Sequence, residues 1–199
     1  MARTQAAGPL ATVAGHGLRI TLPARWEARL YLRDRPPETA VEPEDDDAGT
    51  AVGITGGLGS GVHPAAYGWA GESPNPVLHL ANFALPPGRG DFGTGAVEVM
   101  GAEHAFVSLL EYDAEEAGRP LFEHRGVPRP VLRDFAPNQL QRRLAGQLGR
   151  QTFFTHEGRP FCLYVVLGSR EHAADLVADV HGVLDNLEVS ARDDVDATV

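Results

Sequence analysis

The stretch that decides the fold is LGRQTFFTHEGRPFCLYVVLGS, residues 148–169, the most apolar part of the chain and the part that carries its only cysteine. Glu157 and Gly158 lie between two runs rich in aromatic and β-branched residues. Because glycine tolerates positive φ, this pattern predicts a tight β-hairpin. Apolar residues occupy both faces of its second strand, which is typical of a strand covered on both sides. The sequence therefore predicts that this hairpin lies inside a layered core.

The register of the hairpin decides whether Cys162 can act as a nucleophile. If the loop has two residues, Phe153 lies opposite Cys162, and His156 projects from the other face of the sheet. Packing against a phenyl ring raises the pKa of a thiol, whereas a nucleophilic cysteine needs cationic surroundings. We therefore expect Cys162 to be a buried small hydrophobe, and we predict no catalytic residue in the sequence.

The charge composition excludes several partners and chemistries. The net charge is -10, which opposes binding to nucleic acid phosphates and to anionic lipid. All 17 basic side chains are arginine, because the sequence contains no lysine. This absence excludes P-loop, Schiff-base and pyridoxal lysines and the lysine of protein kinases. We expect no cofactor and no metal.

The single cysteine and the distribution of apolar residues indicate the cellular compartment of the protein. One cysteine cannot form an internal disulfide, which suits a reducing compartment. No apolar run has the length of a signal-peptide core or of a membrane span. The sequence therefore predicts a cytoplasmic protein with no membrane partner.

Alternation of apolar and polar residues predicts several further strands. Period two extends over 18–22 and 26–33, with a proline break between them. An apolar segment at 77–85 is followed by strand patterns at 96–100 and 105–112. With the hairpin, these elements give an α+β fold whose antiparallel sheet has about six to eight strands.

Helical spacing predicts two helices packed on this sheet. The first lies between Pro137 and Gly149, which suit the start and the end of a helix. The second is amphipathic and C-terminal, and a short strand at 187–189 follows it. Its single apolar stripe consists of Ala173, Leu176, Val177, Val180, Leu184 and Leu187.

Composition also predicts the limits of the folded part. We expect one domain over residues 16–190, a flexible N-terminus at 1–15 and a disordered tail at 191–199. An acidic and glycine-rich insertion occupies about 34–75. Such a segment buries too little apolar area to offset its ordering entropy, so most of it is expected to be mobile.

The order of elements resembles a known superfamily. A first strand ends in Pro23-Ala-Arg-Trp26, a meander and a hairpin follow, and the last helix runs into Leu184-Asp-Asn-Leu-Glu-Val189. This order resembles the PsbP-like α/β/α sandwich superfamily over residues 16–190, and GRPFCLYVVLGS is similar to a group of uncharacterised proteins from high-GC bacteria. The resemblance implies a non-catalytic interaction domain, because the understood members mostly act as extrinsic or regulatory binding partners. The acidic insertion and the missing export signal exclude a photosystem-type role.

The leading functional hypothesis is a non-enzymatic domain that recognises or assembles with another protein. Its proposed contact surface is the polar face of the first hairpin, formed by the predicted strands at 18–22 and 26–33, which carries Arg29, Tyr31 and Arg33. Arginine and tyrosine are favoured at the energetic centres of protein interfaces. The hypothesis rests on the failure of any nucleophile, base and orienting group to fall together by spacing.

The alternative hypothesis is a small-molecule or hydrolytic site. It would occupy a cleft lined by Glu111, Arg142 and His156, in which arginine binds a carboxylate or phosphate and the acid or imidazole transfers a proton. A pocket that gathers these three side chains would favour this alternative, and their separation would remove it.

Overall fold

The computed structural model describes residues 11–33 and 75–191. The expected insertion, apart from Asn75, and residues 1–10 and 192–199 lie outside the described residues. The described part is α+β and mostly strand. Its strands are β1 (Ala11–Gly15), β2 (Leu18–Leu22), β3 (Glu27–Leu32), β4 (Pro76–Ala81), β5 (Ala105–Glu111), β6 (Leu148–His156), β7 (Arg159–Leu167) and β8 (Leu187–Val189), and its helices are α1 (Thr94–Glu98) and α2 (Ala173–Leu184).

The described strands form two antiparallel sheets, where the sequence predicted one. The smaller sheet has the order β1-β2-β8, and the larger has the order β3-β4-β5-β7-β6. The backbone passes from one sheet to the other between β2 and β3. There Arg25 adopts a φ of 72°, and the Trp26 N–H donates to the Pro23 carbonyl at 3.2 Å. This turn redirects the backbone before β3 begins.

The predicted hairpin is confirmed, with its predicted register. Its two loop residues, Glu157–Gly158, have positive φ values of 50° and 73°, as a two-residue hairpin turn requires. His156 pairs with Arg159, and Phe153 pairs with Cys162. Because strand side chains alternate between faces, His156 and Cys162 project from opposite faces of the sheet.

The main core lies between one face of the larger sheet and the elements that cover it, the smaller sheet and α2. The predicted apolar stripe of the C-terminal helix is confirmed, since its residues within α2 are buried in this core. No helix within residues 11–33 and 75–191 is long and apolar enough to cross a membrane. Large core side chains include Ile20, Leu78, Leu80, Leu109, Phe154, Phe161, Leu163 and Val180.

The helix predicted between Pro137 and Gly149 is wrong. Residues Pro137–Gln139 form one 3₁₀ turn, and bends and a turn then lead to β6. Gly149 belongs to β6, where it exchanges two backbone hydrogen bonds with Ala136, at 3.0 and 3.1 Å. A Cβ at Gly149 would lie 2.8 Å from Leu140 Cδ2, so glycine here permits a close approach of two segments. Strand pairing overrides the helical spacing.

The strand predicted at 96–100 is also wrong, because α1 occupies this position. Gly93 precedes the helix with a φ of 71°, and a Cβ there would lie 2.1 Å from the Phe106 ring. The backbone therefore turns tightly against β5 and buries Ala96 and Val97 from a short helix.

The flexible N-terminus predicted at 1–15 is wrong over its last five residues. These form β1, which pairs with β2 over its whole length. Val13 packs against the main core, and the apolar contact stabilises the strand.

Candidate functional site: a polar cleft beside strand β3

The second face of the larger sheet is covered by the segment between β4 and β5. Two polar side chains, His79 on β4 and Ser108 on β5, lie opposite each other within its apolar surroundings. Both are 0 % exposed. Burial of a polar group costs free energy unless the group is hydrogen-bonded, so the partners of this pair explain its presence.

His79 and Ser108 fasten one loop to the sheet. The Ser108 hydroxyl donates to the Asp91 carbonyl at 2.7 Å, and His79 Nε2 lies 2.8 Å from the same oxygen. Arg89 Nε donates to His79 Nδ1 at 3.1 Å. Because a guanidinium cannot accept a hydrogen bond, Nδ1 carries no proton and Nε2 donates to Asp91. Desolvation lowers the pKa of His79 to about 4, so the imidazole is neutral at pH 7.

This loop and the end of β3 enclose an open cleft of about 440 Å³, called the cleft below. Tyr31 lies in its wall and donates its hydroxyl to Asp91 Oδ1 at 3.4 Å. Burial raises the pKa of Tyr31, so its hydroxyl stays protonated. The cleft is lined by Tyr31, Leu32, Arg33, Pro87, Arg89, Gly90 and Asp91.

Arg33 forms the buried end of the cleft. Its side chain donates from Nη2 to the Glu111 carbonyl and from Nε to the Asn75 carbonyl, the latter at 3.4 Å. The guanidinium also lies over the Tyr112 ring, 5.5 Å from its centroid. These contacts hold Arg33 in one position, and the residue is only 7 % exposed.

Arg89 forms the more open wall. Its Nε binds His79 and its Nη1 donates to the Pro86 carbonyl, which leaves Nη2 without a hydrogen bond to any described residue. No carboxylate within residues 11–33 and 75–191 forms an ion pair with Arg89. Among the described residues of the lining, two guanidiniums and the Asp91 carboxylate give a charge of +1, opposite in sign to the net charge of the whole chain.

The residues predicted as an interface lie at this edge of the sheet. Tyr31 and Arg33 line the cleft. Arg29 lies on the same strand two residues earlier, outside the lining, and its side chain is more than half exposed. Arg33 is the most buried of the three.

The three residues of the alternative hypothesis are not brought together. Glu111 is buried, and its carboxylate pairs with Arg159. His156 pairs with Arg159 on the neighbouring strand through the backbone register. Arg142 is exposed at a different part of the fold, where it pairs with Glu98. Among the described residues, the pocket that Arg142 lines includes neither Glu111 nor His156.

The groups with nucleophilic potential on this face are sealed. Cys162 is 0 % exposed, as predicted, and burial raises the pKa of its thiol to about 12. Gln151 Nε2 donates to its sulfur at 3.3 Å. Ser108 has no access to solvent, and His79 Nε2 is a donor to a carbonyl and cannot serve as a base for it.

Sequence reasoning missed Arg89 and His79. No sequence pattern marked the segment at 88–93 as functional. A histidine within the apolar run of β4 was the one available indication, because a polar residue in a buried strand needs a partner. Nothing in the sequence identified that partner.

No family model, curated protein or solved structure matches this sequence. Within the described ranges, no group of three or more His, Cys, Asp or Glu side chains could hold a metal ion. The interpretation of the cleft therefore depends on its own geometry and charge.

Proposed function

We propose that the protein is a non-enzymatic domain that recognises another protein, and that the cleft together with Arg29 is its contact surface. The observation that carries this proposal is a contrast in exposure. The thiol of Cys162 and the hydroxyl of Ser108 are sealed, whereas arginine and tyrosine side chains reach an open cleft. Arginine and tyrosine are the side chains that most often dominate binding energy at interfaces.

The preorganisation of the cleft supports the same proposal. Tyr31, Arg33 and Arg89 are each held by hydrogen bonds within the protein. Side chains that are already ordered lose little conformational entropy when a partner binds, so more of the contact energy contributes to affinity.

The test is affinity capture from the cells that express the protein, with Arg29→Glu compared with Arg143→Glu. Both residues are exposed, and both substitutions change the charge equally. We expect a bound protein with the wild type and with Arg143→Glu, and its loss with Arg29→Glu. Recovery of the same proteins with both variants contradicts the proposed surface.

Fold family and compartment complete the proposal. We propose that the domain is an α/β/α sandwich of the PsbP-like type. The order of α2 followed by β8 supports this assignment. We also propose a cytoplasmic location, which is supported by the unpaired thiol of Cys162.

A further inference from the structure

We propose that the cleft binds a carboxylate group of the partner protein through Arg89, and that His79 is the positioning residue that orients this guanidinium. The inference rests on the proposed function and specifies its chemistry. It is carried by two observations. Arg89 lacks a carboxylate partner among the described residues, and its hydrogen bonds fix its orientation.

The charge of the cleft selects the ligand. A guanidinium in a partly enclosed site attracts an anion more strongly than one in bulk water, because the local dielectric constant is lower. The charges of the Asp91, Asp113 and Glu111 carboxylates act on Arg33, whereas Arg89 forms no ion pair with a described carboxylate. The charge of +1 over the described lining residues matches one carboxylate. A phosphate dianion would bring a second negative charge close to Asp91 and is disfavoured by repulsion.

The orientation of Arg89 selects the atom that binds. Nε donates to His79, and Nη1 donates to the Pro86 carbonyl. Of the five guanidinium N–H groups, one on Nη1 and both on Nη2 remain, and the side chain lines the cleft. Nη2 can donate a charge-assisted hydrogen bond to a carboxylate oxygen. The Tyr31 hydroxyl is a further polar group in the wall of the cleft.

His79 is what fixes this orientation. Its Nδ1 accepts from Arg89, while its Nε2 is tied to the Asp91 carbonyl, which Ser108 also binds. The imidazole thus anchors both ends of the loop segment that carries the guanidinium. The β-sheet holds the imidazole in turn, because His79 is completely buried on an inner strand.

The test is a titration of the full-length protein, followed by NMR, with small carboxylates as probes. N-acetylaspartate methylamide represents an acidic side chain, and N-acetylglycine represents the terminal carboxylate of a polypeptide. N-acetylasparagine methylamide is the neutral control, and inorganic phosphate tests the charge preference. We expect at least one carboxylate to bind, the neutral amide not to bind, and phosphate to bind more weakly. Tighter binding of phosphate, or equal binding of the neutral amide, overturns the ligand class.

Substitutions separate binding from positioning. Arg89→Gln is expected to abolish binding, and His79→Leu to weaken it about tenfold, the equivalent of one misplaced hydrogen bond. His79→Asn keeps an acceptor near the Nδ1 position and should restore part of the affinity. Arg143→Gln is the exposed control and should bind as the wild type does. Unchanged binding by a folded Arg89→Gln or His79→Leu variant overturns the corresponding role.

A measurement on the wild type keeps the positioning role testable if His79→Leu does not fold. The Arg89 Nε–H resonance should exchange slowly with solvent, because that proton is bonded to a buried imidazole. Rapid exchange overturns the role of His79. The titrations use no partner protein, so absent probe binding refutes the carboxylate inference while leaving the capture result on Arg29 intact. Probe binding without an Arg29-dependent partner refutes the proposed function instead.

Discussion

The ion pair between Arg159 and Glu111 connects the two sheets, and its removal should destabilise the fold strongly. Arg159 donates to both Glu111 oxygens, at 3.0 and 2.5 Å. It also donates to the carbonyls of His16, Gly17 and Ser190, at 2.8, 3.0 and 3.3 Å. These carbonyls belong to the β1–β2 turn and to the residue after β8. One side chain of the larger sheet thus holds the smaller sheet in place.

Substitution of Arg159 by methionine preserves much of the side-chain volume and removes the charge. The Glu111 carboxylate would then be buried without a counter-charge, since the two side chains are only 3 % and 6 % exposed. Breaking a buried pair in this way costs about 3–5 kcal/mol. For a protein of this length, the corresponding fall in melting temperature is roughly 10 °C.

Urea unfolding followed by circular dichroism measures this cost. The control is Arg19→Met, which removes an exposed pair with Glu188 at 3.6 Å and should cost less than about 1 kcal/mol. The double variant Glu111→Leu with Arg159→Met should cost less than Arg159→Met by itself, because no charge is left buried. If Arg159→Met costs no more than Arg19→Met, the pair does not hold the sheets together.

Three further outcomes follow from the structure. Cys162 should react with a thiol reagent at pH 7 only as fast as the protein unfolds, and rapid labelling of the native protein contradicts its burial. Gly158→Ala should lower the free energy of unfolding by about 1 kcal/mol, because the φ of Gly158 is 73°. Gly182→Ala, on the exposed face of α2, should raise it by about 0.5 kcal/mol. Equal urea midpoints for the two variants would contradict this. Because burial lowers the pKa of His79 from 6.5 to about 4, the unfolded state binds the extra proton between these values. The free energy of unfolding should therefore fall by about 3 kcal/mol, relative to His79→Asn, as the pH drops from 6.5 to 4, and parallel pH profiles would contradict this.

Local sequence patterns predicted the parts of the fold that local interactions determine. The two-residue turn at Glu157–Gly158 fixes the register of β6 and β7, and this register places Cys162 opposite Phe153. The apolar stripe of α2 similarly identifies one face of one helix. In each case, the residues that carry the pattern also make the contacts that stabilise the element.

The wrong predictions share a cause, which is close approach between segments distant in the sequence. Leu140 and Leu144 have helical spacing, yet they pack into the cluster beneath α1 while Gly149 pairs with Ala136. Residues 96–98, predicted as strand, become helical because Gly93 lets the backbone pass against Phe106. A single sequence does not reveal which segment will lie beside which.

The candidate site was likewise predicted only in part from the sequence. Tyr31 and Arg33 were identified because strand alternation places both on one polar face of β3. Arg89 was missed because its orientation depends on His79. His79 lies on β4, and its imidazole binds Arg89 in the loop that follows this strand. Burial and hydrogen-bond partners, which determine the chemistry of the cleft, arise only in the folded protein.

The most direct test of the account is amide hydrogen exchange of the protein with and without its captured partner. If the cleft is the contact surface, protection on binding should concentrate at residues 29–33 and 86–92, while the segment at 129–133, which is exposed apart from Pro130, should exchange unchanged. Protection confined to 129–133, with no change around the cleft, would contradict the proposal that this protein recognises its partner there.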